Sequence, residues 1–230
     1  MKRPFFSILL VLFCLFCLSA CGGAAILSNG GHPVNTTDGR VQTWKELNSQ
    51  NIIMQEFDYS CGAASLATLM RYYFDDDVTE LSLLEDINRI FSLQETEIIE
   101  KAGLSFLELE RLAQSKGYQT GSVRLDIITL AKLQGPVLVF VQPNGYKHFA
   151  IYRGIVEDRV FLADPSRGNI RLSISEFLKE WQGETFVLGK DGFGLPQEHG
   201  LTVNLQPGFR NELNVLREPW KAAPNIAGNL

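Results

Sequence analysis

The chain has 230 residues, 45% hydrophobic and 20% charged, the composition of an ordinary globular protein with length enough for one sizeable core. Its formal net charge of -5, without any concentrated Lys/Arg run, excludes nucleic acid as the main partner, because phosphate binding needs clustered cations. One main domain is expected.

The N-terminus does not belong to that domain. Lys2 and Arg3 form a basic start, Phe5 to Leu18 is an apolar run too short for a comfortable membrane span, and Leu18-Ser19-Ala20-Cys21 closes it. Residues 1–20 therefore read as an export signal. Leu-Ser-Ala-Cys followed by Gly-Gly resembles a bacterial lipobox, in which Cys21 is acylated, heads the mature chain and tethers it to a membrane. The expected location is periplasmic, at the membrane. Of the four cysteines, Cys14 and Cys17 leave with the signal and Cys21 carries lipid, so Cys61 is the only thiol expected in the domain. A Cys-rich zinc site is thereby excluded. A lone thiol in an oxidising compartment suggests retention for chemistry.

Residues 21–43, rich in Gly, Asn, Thr and Pro, read as a tether containing His32. Trp44 to Met54 leads into the domain, with Ile52-Ile53-Met54 a buried strand or approach segment. Next comes Gln55-Glu-Phe-Asp-Tyr-Ser-Cys61-Gly62-Ala63-Ala64, a loop that delivers a cysteine to a helix start. The expected central helix is Cys61 to Phe74. Unpaired N–H groups and the positive dipole end at its first turn bias a thiol toward thiolate. A small buried cysteine opening a core helix is the competing reading of this stretch.

Asp75-Asp76-Asp77 reads as a solvated connection. Three more helices are expected: Leu81 to Phe91, Glu95 to Ala102, and Phe106 to Ser115, the last opened by a Ser105/Glu108 capping box. The period then changes. Tyr118 to Val123 alternates as a strand, Asp126 to Leu133 is a short helix, and Val137 to Val141 suits a central strand. A turn at Pro143 to Tyr146 leads to strands His148 to Val156 and Val160 to Ala163, a last helix from Ser173 or Ser175 through Trp181, and a closing strand Thr185 to Leu188. Helices followed by an antiparallel sheet make an α+β fold with the domain over residues 44–189. Residues 190–230 form a Gly/Pro/Asn-rich tail with scattered anchors such as Leu201. No phosphate-binding Gly loop occurs, and no cofactor is expected.

A nucleophilic cysteine needs a base, and the base needs a third group that sets its tautomer. Of three histidines, His148 alone starts a predicted central strand; His199 lies in the tail and reads as a surface residue. Asp164 ends the next strand, and an antiparallel hairpin can bring that end beside His148. Gln55, six residues before the thiol, can donate to an oxyanion.

Gln55 with Cys61-Gly62, His148-Phe149 opening a strand, and Asp164-Pro165 with Gly168 resemble the motifs of the C39 cysteine peptidases of the papain-like superfamily. The resemblance covers Ile52 to Leu188. It implies Cys61 as nucleophile, His148 as general base and acid, Asp164 as orienting carboxylate and Gln55 as oxyanion donor. Ser60 stands where the family often has an acid, and Lys147 where it often has glycine. Such domains are typically fused to a peptide-exporting transporter and cut leader peptides after Gly-Gly. This chain shows no ATP site and looks more like the free-standing exported C39-like proteins, including those of Fap-type functional amyloid secretion systems. A peptidase acting on a secreted or periplasmic polypeptide is expected, with secretion-system components as further partners. The alternatives are a non-hydrolytic binding or chaperone module and a transglutaminase-like acyltransferase.

Overall fold

The computed structural model describes residues 36–37, 40–41 and 43–203. The export signal, Cys21, His32 and the tail beyond residue 203 lie outside the described residues. Two units divide the chain, Met1–Gln42 and Thr43–Leu230. In the first, β1 (Thr36–Thr37) pairs antiparallel with β2 (Arg40–Val41), a short ladder within the stretch read as a tether.

The second unit opens with α1 (Trp44–Asn48), which the sequence reading took only as a lead-in. A Thr43/Glu46 capping box starts it. Ile52–Met54 forms no strand. The central helix α2 (Cys61–Tyr72) buries every residue from Cys61 to Met70, as a helix apolar on nearly all sides must. It stops two residues earlier than expected, and Asp75 then takes a left-handed turn at φ 58°. Helices α3 (Glu80–Ile90), α4 (Leu93–Ala102) and α5 (Phe106–Ser115) each begin at a capping box, headed by Thr79, Ser92 and Ser105.

Then come β3 (Gln119–Arg124), α6 (Ile127–Leu130), β4 (Val137–Val141), a 3₁₀ turn at Pro143–Gly145, β5 (His148–Val156), β6 (Arg159–Asp164), β7 (Gly168–Ser173), α7 (Ile174–Glu180) and β8 (Trp181–Gly189). The strands form one antiparallel sheet in the order β3-β8-β4-β5-β6-β7. The architecture is the expected α+β, papain-like one. Strand β7 was missed because only Ile170 and Leu172 alternate within it, too weak a period to register. Trp181 opens β8 rather than closing the helix, with its ring stacked on Phe177 at 5.1 Å.

Alternate residues of β5 feed opposite cores. Phe149 and Ile151 join the cluster built on Leu66, Leu69 and Met70 of α2, whereas Ala150 and Tyr152 join Phe177 and Trp181 behind the sheet. Covered on both faces, the strand reads as a continuous apolar run, as does β4.

Two expectations are corrected at the far end of α2. Asp76 is not simply solvated: it accepts from the Tyr118 hydroxyl and the Lys190 ammonium. His199 is half-buried, its ring edge-on to Tyr73 at 4.8 Å. Leu201 is fully buried, Gly200 N–H donates to Tyr72 O at 2.9 Å, and Arg153 donates to the Leu201 and Thr202 carbonyls at 2.9 and 2.8 Å.

Candidate active site

Cys61 is the first residue of α2, where the backbone N–H groups of the first turn lack intrahelical acceptors. It is only 7% exposed and unbridged. A β-carbon on Gly62 would stand 3.2 Å from Leu104 Cβ, so glycine there lets the α4–α5 connection close over the helix start. Ser60 precedes it with no helix-capping bond, its hydroxyl donating instead to Phe57 O at 2.8 Å. Ser65 Oγ donates to Phe149 O at 3.1 Å and pins α2 to the start of β5.

His148 opens β5 and Asp164 closes β6; the pairing of Ile151 with Ala163 brings these two strand ends together. The His148 Nε2 and Asp164 Oδ1 lie 2.9 Å apart. Asp164 therefore occupies Nε2 of the ring, and Cys61 acts on the same imidazole electrostatically, favouring its protonated form. Cysteine, histidine and aspartate thus stand in line, from a helix and two neighbouring strands.

Asp164 is fully buried. Its Oδ1 also accepts from Ser166 N, Ser166 Oγ and Arg167 N, each at 2.9 Å, and its Oδ2 accepts from Arg167 Nε at 2.7 Å. Arg167 in turn grips Glu180 with both terminal nitrogens at 3.3 and 3.1 Å. Burial alone would raise the Asp164 pKa, but His148 and Arg167 together hold it well below the usual carboxylate range. Burial would likewise lower that of His148. The hydrogen bonds and charges of Asp164 and Cys61 outweigh burial and raise it from 6.5 to about 9.

His148 binds its proton more tightly in the fold, so its stabilisation is complete below pH 6.5 and is lost as pH rises through about 9. Asp164 is depressed, so its contribution is present above its ordinary 3.8 and is lost as pH falls below that.

The Asp164 turn is tied to the N-terminal lead-in. Asn48 Nδ2 donates to Arg167 O at 2.9 Å, Asn169 Nδ2 to Gln50 O at 2.9 Å, and Gln55 N to Pro165 O at 2.9 Å. Gly168 sits at φ 84°, and a β-carbon there would lie 2.1 Å from Asn48 Nδ2 and 2.7 Å from Asn48 O. Gly168→Ala therefore meets both a left-handed backbone and a backbone clash, and is expected to cost about 2 kcal/mol or more. Urea denaturation measures it. A midpoint equal to wild type would remove this turn from the set of strained positions.

Gln55 is brought beside Pro165 through its backbone. Its side-chain Nε2 donates to Phe57 O at 2.9 Å, within the loop that ends at Cys61, and its Oε1 is buried with no partner among the described residues. Glu80, itself buried, holds that loop by accepting from Glu56 N at 3.1 and 3.2 Å. A groove of about 520 Å³ runs from Cys61 between Tyr59 and Leu104 over Phe106, Phe140 and Phe149. Sequence reasoning missed Ser166, Arg167 and Glu180. The Asp-Pro-Ser-Arg-Gly run signalled a turn, but only the fold puts Glu180 behind it.

A thiol at a helix start, an imidazole paired with a buried carboxylate and a groove beside the sulfur are the parts of a cysteine peptidase site. The chain belongs to the peptidase C39 family, which matches residues 49–191. It is 32% identical to the "Probable functional amyloid protease FapD" of Pseudomonas fluorescens over 154 residues, 67% of each chain. The protein of the same description from Pseudomonas aeruginosa is 29% identical over 154 residues, again 67% of each. Among solved structures, the peptidase domain of Streptococcus ComA, a bi-functional ABC transporter, superposes with a TM-score of 0.52 at 24% identity, over 61% of this chain and 98% of that domain, a likeness of fold.

Proposed function

We propose that this peptidase is exported, anchored by a lipid on Cys21, and cleaves a polypeptide handled by an amyloid or peptide secretion system in the periplasm. The Cys61–His148–Asp164 line at the end of a groove carries the catalytic part of this reading. The secretion role draws on the likeness to the two Pseudomonas proteins described as functional amyloid proteases.

In this mechanism the Cys61 thiolate attacks the scissile carbonyl carbon while His148 holds the proton as imidazolium. The tetrahedral oxyanion is met by the Cys61 N–H and the Gln55 amide. Collapse breaks the C–N bond, His148 gives its proton to the leaving amine, and a thioester remains. His148 then takes a proton from water, whose oxygen attacks the thioester and releases the acid and Cys61. On this reading the scissile bond follows small residues such as Gly-Gly, whose short side chains suit approach to a sulfur that is only 7% exposed.

Mass spectrometry of secreted and periplasmic proteins from wild-type and Cys61→Ala cells tests the proposal. The expected result is a polypeptide whose new terminus follows small residues and is missing in the variant; identical termini in both would sink it. Gln55→Ala is expected to lower turnover by roughly 10² to 10³, the loss typical of one oxyanion donor, and an unchanged rate removes Gln55 from the site. Cys21→Ser is expected to move the protein out of the membrane fraction or leave its signal uncleaved. Wild type recovered from the soluble periplasm would overturn the anchor and leave the peptidase untouched.

A further inference from the structure

We infer that Arg167, held by Glu180, is a positioning residue of this site: its guanidinium occupies Asp164 Oδ2, so that Oδ1 alone is presented to the His148 imidazole. The inference rests on the reading of Cys61, His148 and Asp164 as the catalytic line.

The two oxygens of the buried carboxylate have different partners. Oδ1 receives His148 Nε2 and three donors of its own turn, whereas Arg167 Nε, at 2.7 Å, is the donor to Oδ2 among the described residues. A buried carboxylate oxygen without a donor is costly, and a carboxylate free to rotate would compete with itself for the imidazole. The planar fork of arginine spans two carboxylates at once, Nε on Asp164 and both terminal nitrogens on Glu180. Glu180 is the last residue of α7, the end of a helix where the dipole disfavours an anion. Pairing with Arg167 offsets that disadvantage.

The result is an alternating row: imidazolium, Asp164 carboxylate, Arg167 guanidinium, Glu180 carboxylate. His148 is faced by Cys61 from α2, by Asp164 from β6, by Ser166 from the β6–β7 turn, and through Asp164 by Arg167 and Glu180. Each member therefore acts on the imidazole with a definite sign. Removing the guanidinium leaves the imidazolium as the main cation beside Asp164, so His148 keeps its proton to higher pH. Removing Glu180 turns the whole guanidinium charge on Asp164, so His148 releases its proton at lower pH.

The test is an NMR titration of the His148 ring in the full chain for Arg167→Met, Glu180→Gln, Arg167→Lys and wild type, with thermal melts alongside. Arg167→Met is expected to raise the midpoint by about half a pH unit or more and Glu180→Gln to lower it, with Arg167→Lys returning it toward wild type because it keeps the charge. A merely structural role would lower the melting temperature and leave the midpoint where it is. Unchanged midpoints in folded Arg167→Met overturn the inference. Should that variant not fold, Glu180→Gln decides: a downward shift supports the inference and no shift overturns it. Iodoacetamide alkylation of Cys61 in wild type and His148→Ala tests the catalytic line separately. A His148-dependent rate with Arg167-independent midpoints would sink only the role of Arg167.

Discussion

Turnover by Cys61→Ala is expected to fall by roughly 10⁴ to 10⁶, the loss seen when a nucleophile that acts as part of a unit is deleted. No neighbour can stand in. Ser60 is the adjacent hydroxyl, but it is buried, bonded to the Phe57 carbonyl and directed back into its own loop. The fold should survive, since alanine is a good helix former at the first position of α2 and the change deletes a single sulfur atom. The measurement is cleavage of a polypeptide by purified wild type and variant at matched circular dichroism. Cleavage retained by the folded variant would show that the bond is broken elsewhere.

His148→Ala is expected to carry the second largest effect, because in the proposed mechanism it removes both the proton carrier and the cation beside the sulfur. In wild type the imidazole keeps its proton up to about pH 9, held there by Asp164 and Cys61 against the opposing pull of burial. The cation beside the sulfur is therefore present at mildly acidic pH, and iodoacetamide should alkylate Cys61 rapidly there. Without His148 only the helix start remains to favour the anion, so the rate at pH 6 is expected to drop roughly 10²-fold and to recover as pH rises. Asp164 keeps Arg167 as a partner, so the variant should still fold. Equal alkylation rates for wild type and His148→Ala across pH would break the link between the thiol and the imidazole. Slow wild-type reaction at every pH, released only by denaturation, would mark Cys61 as inert.

The contrast between Gln55 and Arg167 shows where sequence reading stops. Gln55 could be singled out because a fixed interval of six residues in one loop ties it to Cys61. Arg167 and Glu180 lie thirteen residues apart, separated by a strand and a helix, and only the return of α7 against the β6–β7 turn makes them neighbours. Likewise α1 is legible afterwards in its Thr43/Glu46 capping box, yet five residues without a buried face show no period to read beforehand.

Read alone, the chain determined the α+β order, the central helix that begins at Cys61 and the strand-opening and strand-closing places of His148 and Asp164. Those features follow from local periodicity and from residues within one element of each other. The tertiary structure decided the rest: the 2.9 Å contact of His148 with Asp164, the two-sided hold on that carboxylate, the clasp of Asn48 over Gly168 and the groove in front of the thiol. These depend on strand register and helix docking, where side chains distant in sequence meet only because both faces of one sheet must be buried at once.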